Sequence, residues 1–261
     1  MYNITKQLSK SWKESGLRKG DLVLLHSDIK RTLYYYSNKK ISLKPEDIFL
    51  SLLDAIGEEG TILFPCFDIE VSENKIFNIK ESKSKMGILS EIARNYKNSY
   101  RTKHPIYSFT VIGKKKNLFY TCDDFTGVGS GSPFDVVYKN NGKIAVLNLS
   151  ETKSMTFYHY VEKMHDVDHR HTIKFNVNYI DNDNNRFKKK YGYYARKRDE
   201  GVKTYLEPMS ILLWKKKLYK GNKYNVGNGL RTIMAKNVYE QTSKIILSGL
   251  SKGMLYKLND H

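Results

Sequence analysis

The sequence predicts an α/β fold, a central mixed sheet flanked by helices, with a β-hairpin region in the C-terminal half. Three observations carry this expectation. Short uninterrupted apolar runs, Asp21-Leu-Val-Leu-Leu-His26, Gly60-Thr-Ile-Leu-Phe-Pro65 and Ile144-Ala-Val-Leu-Asn-Leu149, read as strands covered on both faces. Amphipathic segments with helical spacing stand between them. Residues 173–197 alternate apolar and polar around Asn182-Asp-Asn-Asn185, which is a hairpin pattern. With 261 residues, no internal repeat and no low-complexity linker, the chain reads as one domain over 1–261, with 173–197 as a hairpin-like insertion.

The elements follow in order. Residues 4–16 place Ile4, Leu8 and Trp12 on one helical face and stop at Gly16. The first strand delivers His26-Ser27-Asp28 at its carboxyl end, where open α/β sheets bind ligands. Pro45 opens a helix that Gly57 closes. The second strand ends at Pro65, and Cys66 on the following loop is expected to be a buried structural thiol. Residues 68–85 are polar and read as a surface loop, and a helix then runs to about Tyr96 with Ile88, Leu89, Ile92 and Ala93 inward. His104 is held in a stiff loop by Pro105, ahead of a strand at Thr110-Val-Ile-Gly113. Gly127-Val-Gly-Ser-Gly131-Ser-Pro133 fits neither the Walker nor the dinucleotide pattern and reads as a turn. Residues 229–247 read as a closing helix with Leu230, Ile233, Met234, Val238 and Ile245 inward.

Composition excludes several classes. The hydrophobic fraction of 40% is enough for a packed core. No apolar stretch is long enough to cross a bilayer, and Met1-Tyr-Asn-Ile-Thr-Lys-Gln lacks the apolar core of a signal peptide, so a cytoplasmic location is expected. Cys66 and Cys122 form no disulfide framework and have no zinc spacing. The formal charge of +18 suggests anionic partners, yet no nucleic-acid-binding module accompanies it.

The chemistry-bearing stretch is Met155-Thr-Phe-Tyr-His-Tyr-Val-Glu162. With Ser154 or Thr156 as helix cap, His159 and Glu162 lie three apart on one face. An imidazole accepts a proton near neutral pH, and a neighbouring carboxylate steadies its charged form.

Six segments, taken in order, resemble the aminoglycoside 3-N-acetyltransferase family. They are Gly20-Asp-Leu-Val-Leu-Leu-His26-Ser27, Gly57-Glu-Glu-Gly60-Thr-Ile-Leu-Phe-Pro65, Lys85-Met-Gly-Ile-Leu-Ser-Glu91, Arg101-Thr-Lys-His104-Pro-Ile-Tyr-Ser108-Phe109, Gly129-Ser-Gly-Ser-Pro133 and Thr156-Phe-Tyr-His159-Tyr-Val-Glu162. The resemblance implies acetyl transfer from acetyl-CoA to an amine on a sugar ring. It implies His159 as general base, Glu162 as its partner acid, and His26, Ser27, Arg101, His104, Ser108 and Phe109 along the coenzyme and reaction centre. Asp28 stands where the family often has a second serine. The tetrahedral oxyanion would be met by a backbone N–H, by Thr156 or by a serine hydroxyl. Direct transfer is expected rather than a covalent route through Cys66 or Cys122.

Charge then bears on the acceptor. A protein of +18 repels polycationic aminoglycosides at long range and attracts a nucleotide-linked amino sugar. The expected substrate is therefore an anionic amino sugar, nucleotide-linked and destined for surface polysaccharide, with an aminoglycoside as the alternative. A non-catalytic nucleic-acid-binding protein is the distant alternative. The expected partners are that small molecule and at most a second copy of the chain in a homodimer. Neither nucleic acid nor membrane is expected, and no metal is.

Overall fold

The computed structural model describes residues 4–70, 72 and 75–259. The first three positions of the stretch read for a signal peptide lie outside the described residues. Along the chain come α1 (Ile4–Glu14), β1 (Leu22–Ser27), α2 (Lys30–Asn38), α3 (Pro45–Ile56) and β2 (Thr61–Pro65). There follow β3 (Lys75–Asn78), α4 (Ile88–Arg94), β4 (Tyr100–Arg101), β5 (Phe109–Gly113) and α5 (Pro133–Lys139). Next are β6 (Lys143–Leu147), α6 (Glu151–Ser154), α7 (Phe157–Met164), β7 (Arg170–Ile180) and β8 (Arg186–Arg196). The chain closes with β9 (Val202–Thr204), α8 (Glu207–Lys215), β10 (Lys220–Gly221), β11 (Leu230–Met234), α9 (Ala235–Leu247), α10 (Ser251–Met254) and β12 (Tyr256–Leu258).

Among the described residues the main sheet has the order β10-β11-β6-β1-β2-β5-β4. Its centre, β6-β1-β2, is parallel, while β11 and β5 run antiparallel on either side, so the sheet is mixed. Alternation along each strand feeds two cores. Leu22, Leu24, Leu63, Val111, Ile144 and Ile233 face the side covered by α5, α7, α8 and α9. Val23, Leu25, Ile62, Phe64, Ala145 and Leu230 face the side covered by α1, α3 and α4. Burial on both faces is why these strands read as unbroken apolar runs. The Trp12 indole donates to Ser51 Oγ at 2.8 Å and fastens α1 to α3. A smaller sheet, β3-β7-β8, contains the anticipated hairpin, turning at 181–185.

Several elements differ from the sequence expectation. Residues 230–234 are strand β11 and not the start of the closing helix. Leu230, Ile233 and Met234 suit a helical stripe, but both faces of this strand are buried, so its apolar residues carry no period-two signature. The polar stretch 68–85 includes β3, which pairs in parallel with β7 through Ile76↔Asn178 and Phe77↔Tyr179. Helices α2, α5 and α8 were not anticipated. Asp28 starts α2, its Oδ1 accepting the Lys30 N–H at 2.8 Å. Ser132 caps α5, with Pro133 at the first helical position, so the glycine stretch leads into a helix.

Register places the site. His26 and Arg231 both pair with Val146, so the three side chains stand in one row on the face covered by α7. Ser27, paired with Leu147, points to the opposite face, towards α1 and α2.

Candidate active site

Helix α7 begins where β6 has left the sheet and the short α6 has turned the chain back. Neither expected cap acts as one. The Ser154 hydroxyl donates to Ser150 O, and Thr156 Oγ1 lies 3.1 Å from His26 Nε2 instead. Thr156 thus ties the start of α7 to the end of β1. It places His159, in the first turn of α7, on the same face as His26.

His159 Nδ1 lies 3.2 Å from Glu162 Oε2, the three-residue spacing closing as expected. Glu162 holds more than His159. Its Oε1 lies 2.9 Å from His169 Nε2, and Arg170 Nε sits 2.6 Å from Oε2 as an ion pair. Burial pushes the Glu162 carboxyl up, but Arg170 and the hydrogen bonds from His159 and His169 override it and hold it well below the usual range. Glu162 is therefore an anion fixed by three cationic or donor groups. His169 and Arg170 escaped the sequence reading; the available signal was the dense Asp168-His-Arg-His171 run just past Glu162.

The His159 side chain is 18% exposed. Its Nε2 makes no hydrogen bond and is not among the buried unsatisfied atoms, so this nitrogen meets solvent. Burial lowers its pKa, Arg170 lowers it further and Glu162 offsets part, leaving it at about 4. Water on the open side relieves some of that burial. At pH 7 the ring is neutral, with Nδ1 directed at a carboxylate and therefore protonated, and Nε2 carries the free lone pair. This arrangement can take a proton. His26, 5% exposed, is lowered to about 3, first by burial, then by Arg231 and His159.

Behind His26 lies a second polar group, also unforeseen. Arg231 donates through Nη1 to Leu149 O at 2.7 Å and through Nη2 to Glu151 Oε2 at 3.2 Å. Tyr219 and Tyr158 hydroxyls donate to the same carboxylate at 2.7 and 3.0 Å. Burial pushes the Glu151 carboxyl up, against the pull of Arg231 and both tyrosines. Strand β11 is thereby bound to α6 and α7, and this steadies the segment carrying Thr156 and His159.

The remaining sequence candidates are placed elsewhere. Arg101, buried, donates to Ser108 Oγ at 3.1 Å, to Cys66 O at 3.4 Å, and to the carbonyls of Ile79 and Ser82. Ser108 Oγ in turn donates to Cys66 O at 3.1 Å. These bonds clamp the 79–82 turn to the ends of β2 and β5. Phe109 is in the core, 5.0 Å from the Phe67 ring, which is itself 6.4 Å from the His26 ring. His104 Nδ1 accepts the N–H groups of Ile106 and Tyr107 at 3.2 and 3.0 Å, so its proton is on Nε2, directed at Phe125 O. Gly127, at φ +73°, lies flat on that ring; an added Cβ would come within 2.7 Å of it. The glycine stretch exposes no phosphate cradle. Its N–H groups at Gly129 and Gly131 are taken by Asp124 and Asp135. Cys66 is buried with Sγ 3.0 Å from Thr110 Oγ1 and no base beside it, and burial pushes its thiol up.

His26 and His104, held neutral at about 3 and 4, give a stability prediction. Both are depressed from 6.5, so below pH 6.5 the unfolded chain binds protons that the folded chain rejects, and stability falls towards pH 4. At pH 5 the two together should cost about 4 kcal/mol. Urea unfolding at pH 7 and pH 5 checks this, with His104→Asn, which keeps a side-chain acceptor for the Ile106 and Tyr107 N–H groups without titrating, expected to reduce the dependence by about half. Equal stability at both pH values would contradict it.

Of three clefts on the described surface, one borders Glu151 and Arg231, one lies at the far end of the sheet, and His159 is in the wall of none of them. The third, of about 680 Å³, opens between α1 and α2 and includes Lys10, Arg31, Tyr34 and Tyr35. Arg31 reaches from it to Asn148 Oδ1 at 3.1 Å, at the carboxyl end of β6.

A family model described as aminoglycoside 3-N-acetyltransferase matches residues 24–222. The SPbeta prophage-derived aminoglycoside N(3')-acetyltransferase-like protein YokD of Bacillus subtilis (strain 168) is 28% identical over 182 residues, 60% of this chain and 64% of YokD. The match thus spans less than two thirds of that relative. The crystal structure of YokD superposes with a TM-score of 0.74 at 21% identity, covering 94% of this chain and 99% of YokD. AAC-IIIb, solved as a binary complex with CoASH, gives 0.76 at 16% identity over 94% and 96%. A histidine-to-alanine mutant of the aminoglycoside acetyltransferase AAC(3)-IVa, solved with a gentamicin, gives 0.72 at 18% over 93% and 87%. The structural matches share this fold, and no helix among the described residues is long and apolar enough to cross a membrane.

Proposed function

The chain belongs to the aminoglycoside 3-N-acetyltransferase family, and from that premise we propose that it acetylates an amine on an amino sugar, with acetyl-CoA as donor and His159 as general base. The observation that carries this reading is the His159–Glu162 pair, with Nδ1 held at 3.2 Å and Nε2 left open.

An ammonium group is no nucleophile, so its proton must leave before or during attack. His159 Nε2 accepts it, and Glu162, fixed by Arg170 and His169, stabilises the imidazolium that results. Bound acetyl-CoA supplies the acyl group as a thioester. Once the new C–N bond has formed and the C–S bond has broken, the proton on His159 can pass to the departing thiolate. Thr156, bonded to His26 at the foot of α7, stands close enough to the base to be the side-chain candidate for meeting the oxyanion. Ser27 faces the side of the sheet with the 680 Å³ cleft. The exposed rings of Tyr34 and Tyr35, beside Lys10 and Arg31, have the chemistry to take an aromatic base and phosphates. These features support a coenzyme approaching across the carboxyl ends of β1 and β6. The bonds that occupy Arg101, Ser108 and His104 favour a supporting role for them.

For the acceptor, the comparisons favour an aminoglycoside-like amine over a nucleotide-linked sugar, since AAC(3)-IVa was solved with a gentamicin. The nucleotide-linked reading keeps only the argument from the +18 charge. Incubation with acetyl-CoA and a panel of both kinds of amine, following released thiol, is expected to show turnover with at least one amino sugar. Absence of thiol release with every amine would end the acyltransferase reading.

A further inference from the structure

The far end of the chain reaches back to the His159–Glu162 pair. Strand β12 runs antiparallel to β9, with Tyr256 opposite Thr204. The backbone is fixed on both sides of Tyr256. Leu255 is buried in the core, its N–H donates to Ser251 O at 2.8 Å, and its carbonyl accepts the Tyr205 N–H at 3.0 Å. Past the strand, the Asn259 N–H donates to Gly201 O at 2.9 Å. From this anchored position the Tyr256 ring lies on the His169 imidazole, with centroids 4.2 Å apart and planes 24° from parallel. His169 Nε2 faces Glu162 Oε1 at 2.9 Å, and because a carboxylate only accepts, that nitrogen carries the proton. Glu162 Oε2 is occupied by His159 and Arg170. Its Oε1 therefore has His169, among the described residues, to stop the carboxylate turning about its soft terminal torsion. A turned carboxylate takes Oε2 off the line to His159 Nδ1.

We propose that Tyr256 is a positioning residue for the His159 base. Its ring fixes His169, His169 fixes the Glu162 carboxylate, and Glu162 fixes the imidazole that takes the proton. This rests on the acyl-transfer reading and adds to it a residue from the last strand, 94 positions beyond Glu162. The stack is made by the ring, so the phenol hydroxyl has no part in it.

Two arms test this, and the first needs no turnover. In the full chain, labelled at its histidine nitrogens, the His169 Nε2 proton is expected to be protected from exchange with water. Tyr256→Leu keeps an apolar side chain in the strand and should speed that exchange about three- to tenfold, the worth of one stacked aromatic pair. Tyr256→Val replaces it should the leucine variant fail to fold, and Tyr256→Phe should leave the exchange as it was. An exchange rate untouched by loss of the ring overturns the proposal, whether or not the chain transfers acyl groups. The second arm follows thiol release with an accepted amine. Tyr256→Leu should lower kcat about three- to tenfold with both KM values unchanged, and Tyr256→Phe should restore it. In a His169→Gln background the same substitution should cost nothing further, because residues that act through one another are not additive. An additive loss, an equal loss in Tyr256→Phe, or a change in KM alone would assign Tyr256 to general packing or to substrate contact, and the proposal would be wrong. If no amine is turned over, the acyl-transfer reading falls and the exchange measurement alone decides.

Discussion

Replacing His159 with alanine is expected to lower kcat/KM for acetyl transfer by about 10²–10⁴-fold, the usual worth of a positioned general base. The geometry argues for the upper part of that range. Nδ1 is committed to Glu162, so the ring has one tautomer and one free lone pair, with no reorganisation needed at the moment of transfer. The residual rate should rise with pH more steeply than that of the unaltered chain, because solution must then supply the deprotonated amine. Thiol release as a function of pH, with unfolding by urea as a control for folding, measures both. A rate within about threefold of the unaltered chain would remove His159 from the mechanism, since a general base contributes far more than that.

The second large effect concerns stability. Glu162 is 2% exposed and the Arg170 side chain 4%, so neither can fall back on water. Glu162→Gln should cost about 3–5 kcal/mol, because it leaves a buried guanidinium without its anion. For a chain of this length that corresponds to a fall in melting temperature of roughly 6–20 °C. The companion Glu162→Gln/Arg170→Met removes both charges and should recover much of the loss, since a buried pair replaced by apolar packing is often near neutral. Calorimetry on the three proteins decides. If the single and double variants melt together, the pair is not what stabilises this region. Activity should not return in the double variant, because His159 would still lack its carboxylate.

The parallel centre of the sheet was legible because strands buried on both faces leave unbroken apolar runs, as in residues 22–27 and 61–65. The same burial hid β11. A strand with both faces covered has no alternation to reveal it, and it runs directly into α9, so the two read as one helix. The His159–Glu162 pair was legible because it is local, set by helical spacing alone. Its supports were not. His169 and Arg170 reach Glu162 from β7 and the turn before it, and Arg231 reaches Glu151 from 80 residues away. His169 and Arg170 lie past the end of α7, where helical spacing no longer applies, and the Arg231 contact is fixed by sheet topology; neither leaves a periodic trace. His104 was visible as a residue but not in its role, because the two amides and the carbonyl that fill its bonding positions are backbone groups.

Both thiols of the chain are interior, with Cys66 at 0% exposure and Cys122 at 4%. Burial raises each, Cys122 to about 12, so neither forms a thiolate near neutrality. A chromogenic disulfide added to the native enzyme should therefore stay colourless until coenzyme is liberated. The reaction can be followed continuously and without blocking the protein, and any slow colour in the absence of amine would register unfolding.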